Sequence, residues 1–95
     1  MTTGKRKWKS PVTQWKSLKK RHPNSVVLLR VGDFYETFAA DAQTLHVLAG
    51  VTLTRRNDDM LMAGFPHQAL EDKFRCLIAK GCRVAISEWE GQDHD

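Results

Sequence analysis

The chain has 95 residues, enough for one small domain and too few for two. Hydrophobic residues make up 41 % of it, which permits a modest core, but no apolar stretch approaches the roughly 20 residues that a membrane-spanning helix needs. Charge is uneven: residues 1–22 hold Lys5, Arg6, Lys7, Lys9, Lys16, Lys19, Lys20 and Arg21 without one acid, whereas the remainder carries seven cations against eleven acids.

Residues 1–9 are poor in apolar side chains and are expected to form a basic, disordered arm. Trp8 and Trp15 lie in or just beyond it, so the segment could follow phosphates and offer rings for stacking; a solvated, frayed terminus explains the same composition. No apolar run follows these cations in the manner of a secretory leader, so a cytoplasmic, membrane-free protein is expected.

Ser10-Pro11 reads as a helix start, a hydroxyl cap followed by proline at the first helical position. Val12, Trp15 and Leu18 then share a face, cations at 19–21 suit the C-terminal end of the dipole, and Pro23 ends the helix. Residues 26–31, V-V-L-L-R-V, form a short continuous apolar run, the pattern of a strand buried on both faces. Gly32 breaks it, and from about 34 to 49 the spacing of Phe38, Ala42, Leu45 and Ala49 predicts a helix closed by Gly50.

V-T-L-T at 51–54 and M-L-M-A at 60–63 predict a hairpin about the polar turn Arg56-Asn57-Asp58-Asp59, with Gly64-Phe65-Pro66 turning the chain afterwards. Leu70, Phe74, Leu77 and Ile78 mark another amphipathic helix, ended by Lys80-Gly81, and Arg83–Trp89 the last strand. The predicted order is α-β-α-β-β-α-β, an α+β domain over residues 10–91 with about four strands in a mixed sheet and a polar tail at 92–95.

The chemistry-bearing residues offer little for catalysis. Walker loops, nucleophile elbows and metalloprotease spacings are missing, so a non-enzymatic chain without cofactor or ATP site is expected. Cys76 and Cys82 are read as reduced thiols, and the four histidines share no ligand spacing. Asp33 and Glu36 could hold a metal if Glu88 came near, as in a nuclease, but no basic partner for such a site is evident. Asp33-x-x-Glu36 also has the spacing of a capping box, with Phe34 near the Phe38 face of the helix. Periodicity favours that structural role and leaves open whether both Phe34 and Tyr35 fit beneath one helical turn.

G-D-F-Y-E-T-F-A-A-D-A closely resembles the start of the N-terminal, mismatch-recognising domain of the MutS family of DNA mismatch-repair proteins. S-P-V-T-Q-W-K-S-L-K-K-R-H-P resembles that family's opening helix, V-T-L-T-R-R its L-T-K-R strand, L-M-A-G-F-P-H-Q-A-L-E its M-A-G-I-P-x-H-A stretch, and G-C-R-V-A-I-S-E-W-E-G its final block. The segments occur in the family's order and span residues 10–91. The resemblance implies that Phe34 enters the minor groove and stacks on a mispaired or unpaired base, that Glu36 hydrogen-bonds that base, and that Tyr35 belongs to the core. Arg55 and Arg56, with Lys5, Arg6, Lys7 and Lys9, are candidate phosphate contacts.

The same resemblance implies mismatched or distorted duplex DNA as partner. The connector, clamp and dimerising ATPase that accompany this domain in the family do not fit in 95 residues. A separate clamp or ATPase chain, or a homodimer through an open sheet edge, is therefore a second expected partner. His67-Gln68 and Ser87-Glu88-Trp89 depart from the family's pattern, and the 56–60 turn is shorter than its glycine-rich loop. The competing reading is an interaction module, or a remnant of the fold, without specific DNA recognition.

Overall fold

A computed structural model describes residues 8–56 and 58–91. In chain order they form α1 (Pro11–Arg21), β1 (Ser25–Val31), β2 (Phe34–Phe38), α2 (Ala39–Ala49), β3 (Leu53–Arg55), β4 (Leu61–Pro66), a 3-10 turn (His67–Ala69), α3 (Leu70–Ala79) and β5 (Arg83–Glu88). The five strands make one mixed sheet in the order β3-β4-β2-β1-β5. β1 and β5 run parallel, and every other neighbouring pair is antiparallel.

The expected α+β fold is found, with one more strand than expected. The extra strand is β2: residues 34–38 continue from β1 through a two-residue hairpin, and the helix begins only at Ala39. The capping box expected at Asp33 and Glu36 is therefore not formed; Phe38 occupies the cap position of α2 and makes no side-chain cap bond. Period two overrides the helical reading here. Tyr35 and Thr37 are buried on one face, and Phe34, Glu36 and Phe38 point to the other. Gly32, with φ +62, stands at the first central position of the hairpin, as a Gly-X turn requires. Gly64-Phe65-Pro66, expected as a turn, instead completes β4 and pairs with Phe34, Tyr35 and Glu36.

β1 alternates between two cores, which is why its sequence is continuously apolar. Val26 and Leu28 meet Tyr35, Ala63 and Phe65 of the sheet beneath Ala42, Leu45, Ala49 and Leu77 of α2 and α3. Val27 and Leu29 join Phe38 beneath Val12, Trp15 and Leu18 of α1. Ser10 caps α1 through Thr13, whose hydroxyl and amide close a reciprocal box, and Pro11 sits inside the first turn.

Between these layers lies one polar junction. β1 pairs with β2 only from Leu29 to Val31, because the chain leaves the sheet at Ala39, which adopts a left-handed φ of +55. Val27, two residues earlier, turns the same edge toward the gap. Its N–H donates to Asp41 Oδ2 at 3.0 Å, and its carbonyl accepts from Trp15 Nε1 at 2.9 Å. Asp41, buried in the first turn of α2, also receives Lys19 Nζ at 2.9 Å, and that ammonium reaches the Ser25 carbonyl. The indole N–H lies 3.2 Å from the buried Thr37 hydroxyl as well.

Asp41→Ala leaves a buried amide unpaired and is expected to lower unfolding free energy by about 1–3 kcal/mol. The urea midpoint should fall with little change in slope. Ala39→Gly is expected to raise the same midpoint, by up to about 1 kcal/mol of stability, because glycine accepts the left-handed conformation without strain.

Candidate functional site

Phe34 opens β2 and is 46 % exposed, unusual for a large apolar residue in the middle strand of a sheet. Its backbone is held on both sides: Val31 is its partner across the hairpin and Pro66 its partner on β4. The turn itself is tied twice more. The His67 amide donates to the Asp33 carbonyl at 2.8 Å, and Arg30 Nε donates to the Gly32 carbonyl at 2.8 Å. The Arg30 guanidinium also lies 5.8 Å from the centre of the Tyr35 ring. Arg30, which interrupts the apolar run of β1, thus braces the loop that presents Phe34; only the folded hairpin reveals that role.

Tyr35 points away from Phe34 into the α2–α3 core, where it is buried and lies 5.7 Å from the Phe65 ring, centre to centre. Glu36 returns to the Phe34 face, two residues along the strand. Its neighbours across the sheet are Leu29 and Gly64. A Cβ at Gly64 would stand 3.2 Å from the Tyr35 carbonyl and 3.8 Å from Glu36 Cγ, so the bare glycine keeps the strand close and the carboxylate uncrowded. α1 covers this face of the sheet over Val27, Leu29 and Phe38. On the same face Phe34 is exposed and Glu36 half-buried.

The environment of Glu36 opposes its charge. Burial raises its pKa above the ordinary glutamate value, and the nearby Arg56 guanidinium only partly offsets that by favouring the carboxylate. Arg56 is stacked 5.7 Å from the centre of the Phe38 ring and lies 3.4 Å from Asp58 Oδ1. Arg55 is exposed and donates to the Asp59 carbonyl at 2.8 Å. Arg56 therefore joins Phe34 and Glu36 on one face, whereas Arg55, one residue away on the strand, is turned to the other side.

The basic segment reaches the same end of the sheet. Gln14 of α1 donates to the Glu88 carbonyl at 2.9 Å and accepts from the Glu90 amide at 2.8 Å, while Glu88 is the β5 partner of Arg30, beside the hairpin. Trp8 forms a bridge with Gly91 farther along, and Lys9 is exposed. Lys5, Arg6 and Lys7 lie outside the described residues, as does most of the expected arm and the 92–95 tail. Among the described residues no three metal-ligating side chains converge, so Asp33, Glu36 and Glu88 are not brought together. No described helix is long and apolar enough to cross a membrane. Cys76 and Cys82 are free and half-buried.

The family model for MutS domain I matches residues 10–94. This chain belongs to the MutS domain I family. It is similar to the protein named DNA mismatch repair protein MutS of Salinibacter ruber, 52 % identical over 79 residues that make up 79 % of this chain and 9 % of the relative. The protein of the same name from Chlorobium limicola is 44 % identical over 75 residues, covering 79 % of this chain and 9 % of its own length. That of Chlorobaculum parvum is 40 % identical over 90 residues, covering 90 % and 10 %. The chain thus spans about a tenth of the curated relatives it matches.

Because burial disfavours the Glu36 carboxylate, its folded-state pKa lies above its unfolded one, and the charge costs stability once pH rises through the folded value. Glu36→Gln is expected to raise the denaturation midpoint at neutral pH and to lose that advantage as pH falls below the ordinary glutamate range. Urea melts across pH measure the difference. Phe34→Ala, by contrast, should change stability by less than about 1 kcal/mol, since the ring gives up little burial on truncation.

Proposed function

We propose that the chain is a DNA-binding module that prefers mismatched, bulged or otherwise deformable duplex, with Phe34 as the inserted wedge and Glu36 as the base contact. The observation that carries this reading is the half-exposed Phe34 on a doubly paired strand, with half-buried Glu36 beside it on the same face. Membership of the MutS domain I family supports it, as do the relatives' names.

The energetics follow from the duplex. Parting two base steps costs a few kcal/mol and kinks the DNA. A mismatch has already lost part of its pairing and stacking, so the same insertion costs less there, and discrimination arises from deformability. A ring that must displace stacked bases works best from a rigid mount, which the hairpin pairing and the Arg30 brace supply. Glu36 adds discrimination of another kind. As a carboxylate it is repelled by phosphates flanking the groove; when protonated it donates a hydrogen bond to a base, and its raised pKa favours that form. Arg56 and Lys9, with Lys5, Arg6 and Lys7, supply the salt-dependent attraction to phosphate, whereas Arg55, turned to the other side, is left out of it.

In this reading the chain performs recognition rather than catalysis, and it uses no cofactor. Repair activity of the whole relatives would require parts outside the tenth of their length matched here. A cytoplasmic protein of this kind would meet chromosomal DNA directly in a bacterium.

Fluorescence anisotropy with homoduplex, G·T and one-base-bulge DNA at low salt tests the assignment. Phe34→Ala is expected to lose about 1–3 kcal/mol on the defective duplexes, roughly 5- to 150-fold, and to change homoduplex affinity little. Arg56→Ala should weaken all three and reduce the salt slope by about one. Equal affinity for all three duplexes, unchanged by Phe34→Ala, would instead favour an interaction module that retains the fold without the recognition.

A further inference from the structure

Arg56 is a cation placed between two carboxylates. It begins the turn after β3, which closes on itself: the Arg56 amide donates to the Met60 carbonyl at 2.9 Å, and the Asp59 amide donates to the Arg56 carbonyl at 2.9 Å. The guanidinium rests against the Phe38 ring and lies 3.4 Å from Asp58 Oδ1. Phe38 is two residues from Glu36 on the same face of β2, about 7 Å along the strand. A guanidinium over Phe38 is therefore one swing of its own side chain from Glu36, and its charge already acts on that carboxyl. Among the described residues it nevertheless pairs with Asp58 and not with Glu36.

The two carboxylates differ in what ionisation costs them. Asp58 is exposed, and its Oδ1 accepts from the Met60 amide at 3.2 Å, so the turn fixes it in place. That amide, with Arg56 adding to it, holds the Asp58 carboxyl below the ordinary aspartate value. Glu36 is half-buried among apolar groups. β1 and β4 set Leu29, Gly64 and Met62 around it, and α1 turns Val12, Trp15 and Leu18 to this face. Arg56 is the one charge that acts on Glu36 among the described residues. The carboxylate that is cheaper to ionise holds the shared cation.

We propose that Asp58 is a positioning residue, which parks the Arg56 guanidinium at the turn and keeps it from closing onto Glu36. Without Asp58, Arg56 folds along Phe38 and pairs with Glu36, fixing the glutamate as a carboxylate and tying up the cation in one step. Glu36 then cannot donate to a base, and Arg56 reaches a phosphate only by breaking a half-buried pair, which salt screens less than an exposed one. The exposed pair with Asp58 is weak by comparison and yields the guanidinium to a phosphate readily. The consequence for DNA rests on the proposed function; the placement of Arg56 does not.

Asp58→Asn removes the charge and retains an Oδ1 that accepts from the Met60 amide, so the turn is kept. The test follows the Glu36 carboxyl by NMR across pH in the full chain without DNA. Asp58→Asn is expected to lower the Glu36 midpoint by about one unit, because a cation at ion-pair distance favours the charged form. Two controls separate pairing from the mere loss of a negative charge. Asp59→Asn makes the same change one residue away, at a side chain that pairs with no cation among the described residues and at a φ of +66 that asparagine tolerates. It should leave the midpoint in place, and so should Asp58→Asn in an Arg56→Ala background. Circular dichroism checks that the variants fold. A Glu36 midpoint unmoved by Asp58→Asn overturns the proposal, as does an equal fall with Asp59→Asn or a fall that persists without Arg56. With DNA at neutral pH, Asp58→Asn is expected to reduce the preference for G·T over homoduplex by up to about tenfold, the factor by which one unit lowers the protonated fraction. A lowered midpoint with an unchanged preference upholds the placement of Arg56 and tells against Glu36 as the base contact.

Discussion

The backbone of Val27 is the point on which the fold depends. β1 has a helical layer on each face, yet its partner β2 leaves it after three paired residues. An amide and a carbonyl are thereby exposed to an apolar interior, where an unpaired backbone group is costly. Asp41 and Trp15 complete the missing ladder from two different helices, and Lys19 balances the carboxylate. One polar junction thus sets the start of α2, the seating of α1 and the length of β2. The departure at Ala39 requires a backbone conformation that alanine adopts only at some cost, so the surrounding bonds must hold it.

The same departure creates the candidate site. Because α1 is anchored over the Val27 end of the sheet through Trp15, it covers Phe38, while Phe34 farther along the strand stays exposed. Phe34 and Glu36 share a face with Phe38 in a period-two strand, but only Phe38 lies under the helix. One segment therefore supplies both a core residue and a presented pair. Tyr35 and Arg30 hold the pair from the opposite face, so the exposed ring rests on a packed support. The site is rigid because it is built on the middle of the sheet.

Much of this was legible before folding. The cap at Ser10-Pro11, the doubly buried run at 26–31, and the glycine ends near 50 and 81 each rest on local chemistry that tertiary packing did not need to change. The segment 34–38 was harder, since Asp33-x-x-Glu36 imitates a helix cap while Phe34, Tyr35 and Phe38 fit either period. Gly32-Asp33 between two apolar runs is the hairpin signal, and the longer helical pattern beside it begins only at Ala39. The brace at Arg30 and the junction at Asp41 carried no local signal, because each depends on residues distant in sequence.

What the sequence by itself determined was the set of elements, the polarity of the basic segment and, through five ordered motifs, the family. Those properties follow from neighbours within a few positions, where capping, turn chemistry and side-chain period act. Only the tertiary structure decided that Phe34 stands outside while Tyr35 and Phe38 lie within. Exposure is set by where a helix comes to rest on a sheet, and that is decided by long-range pairing that no local spacing encodes.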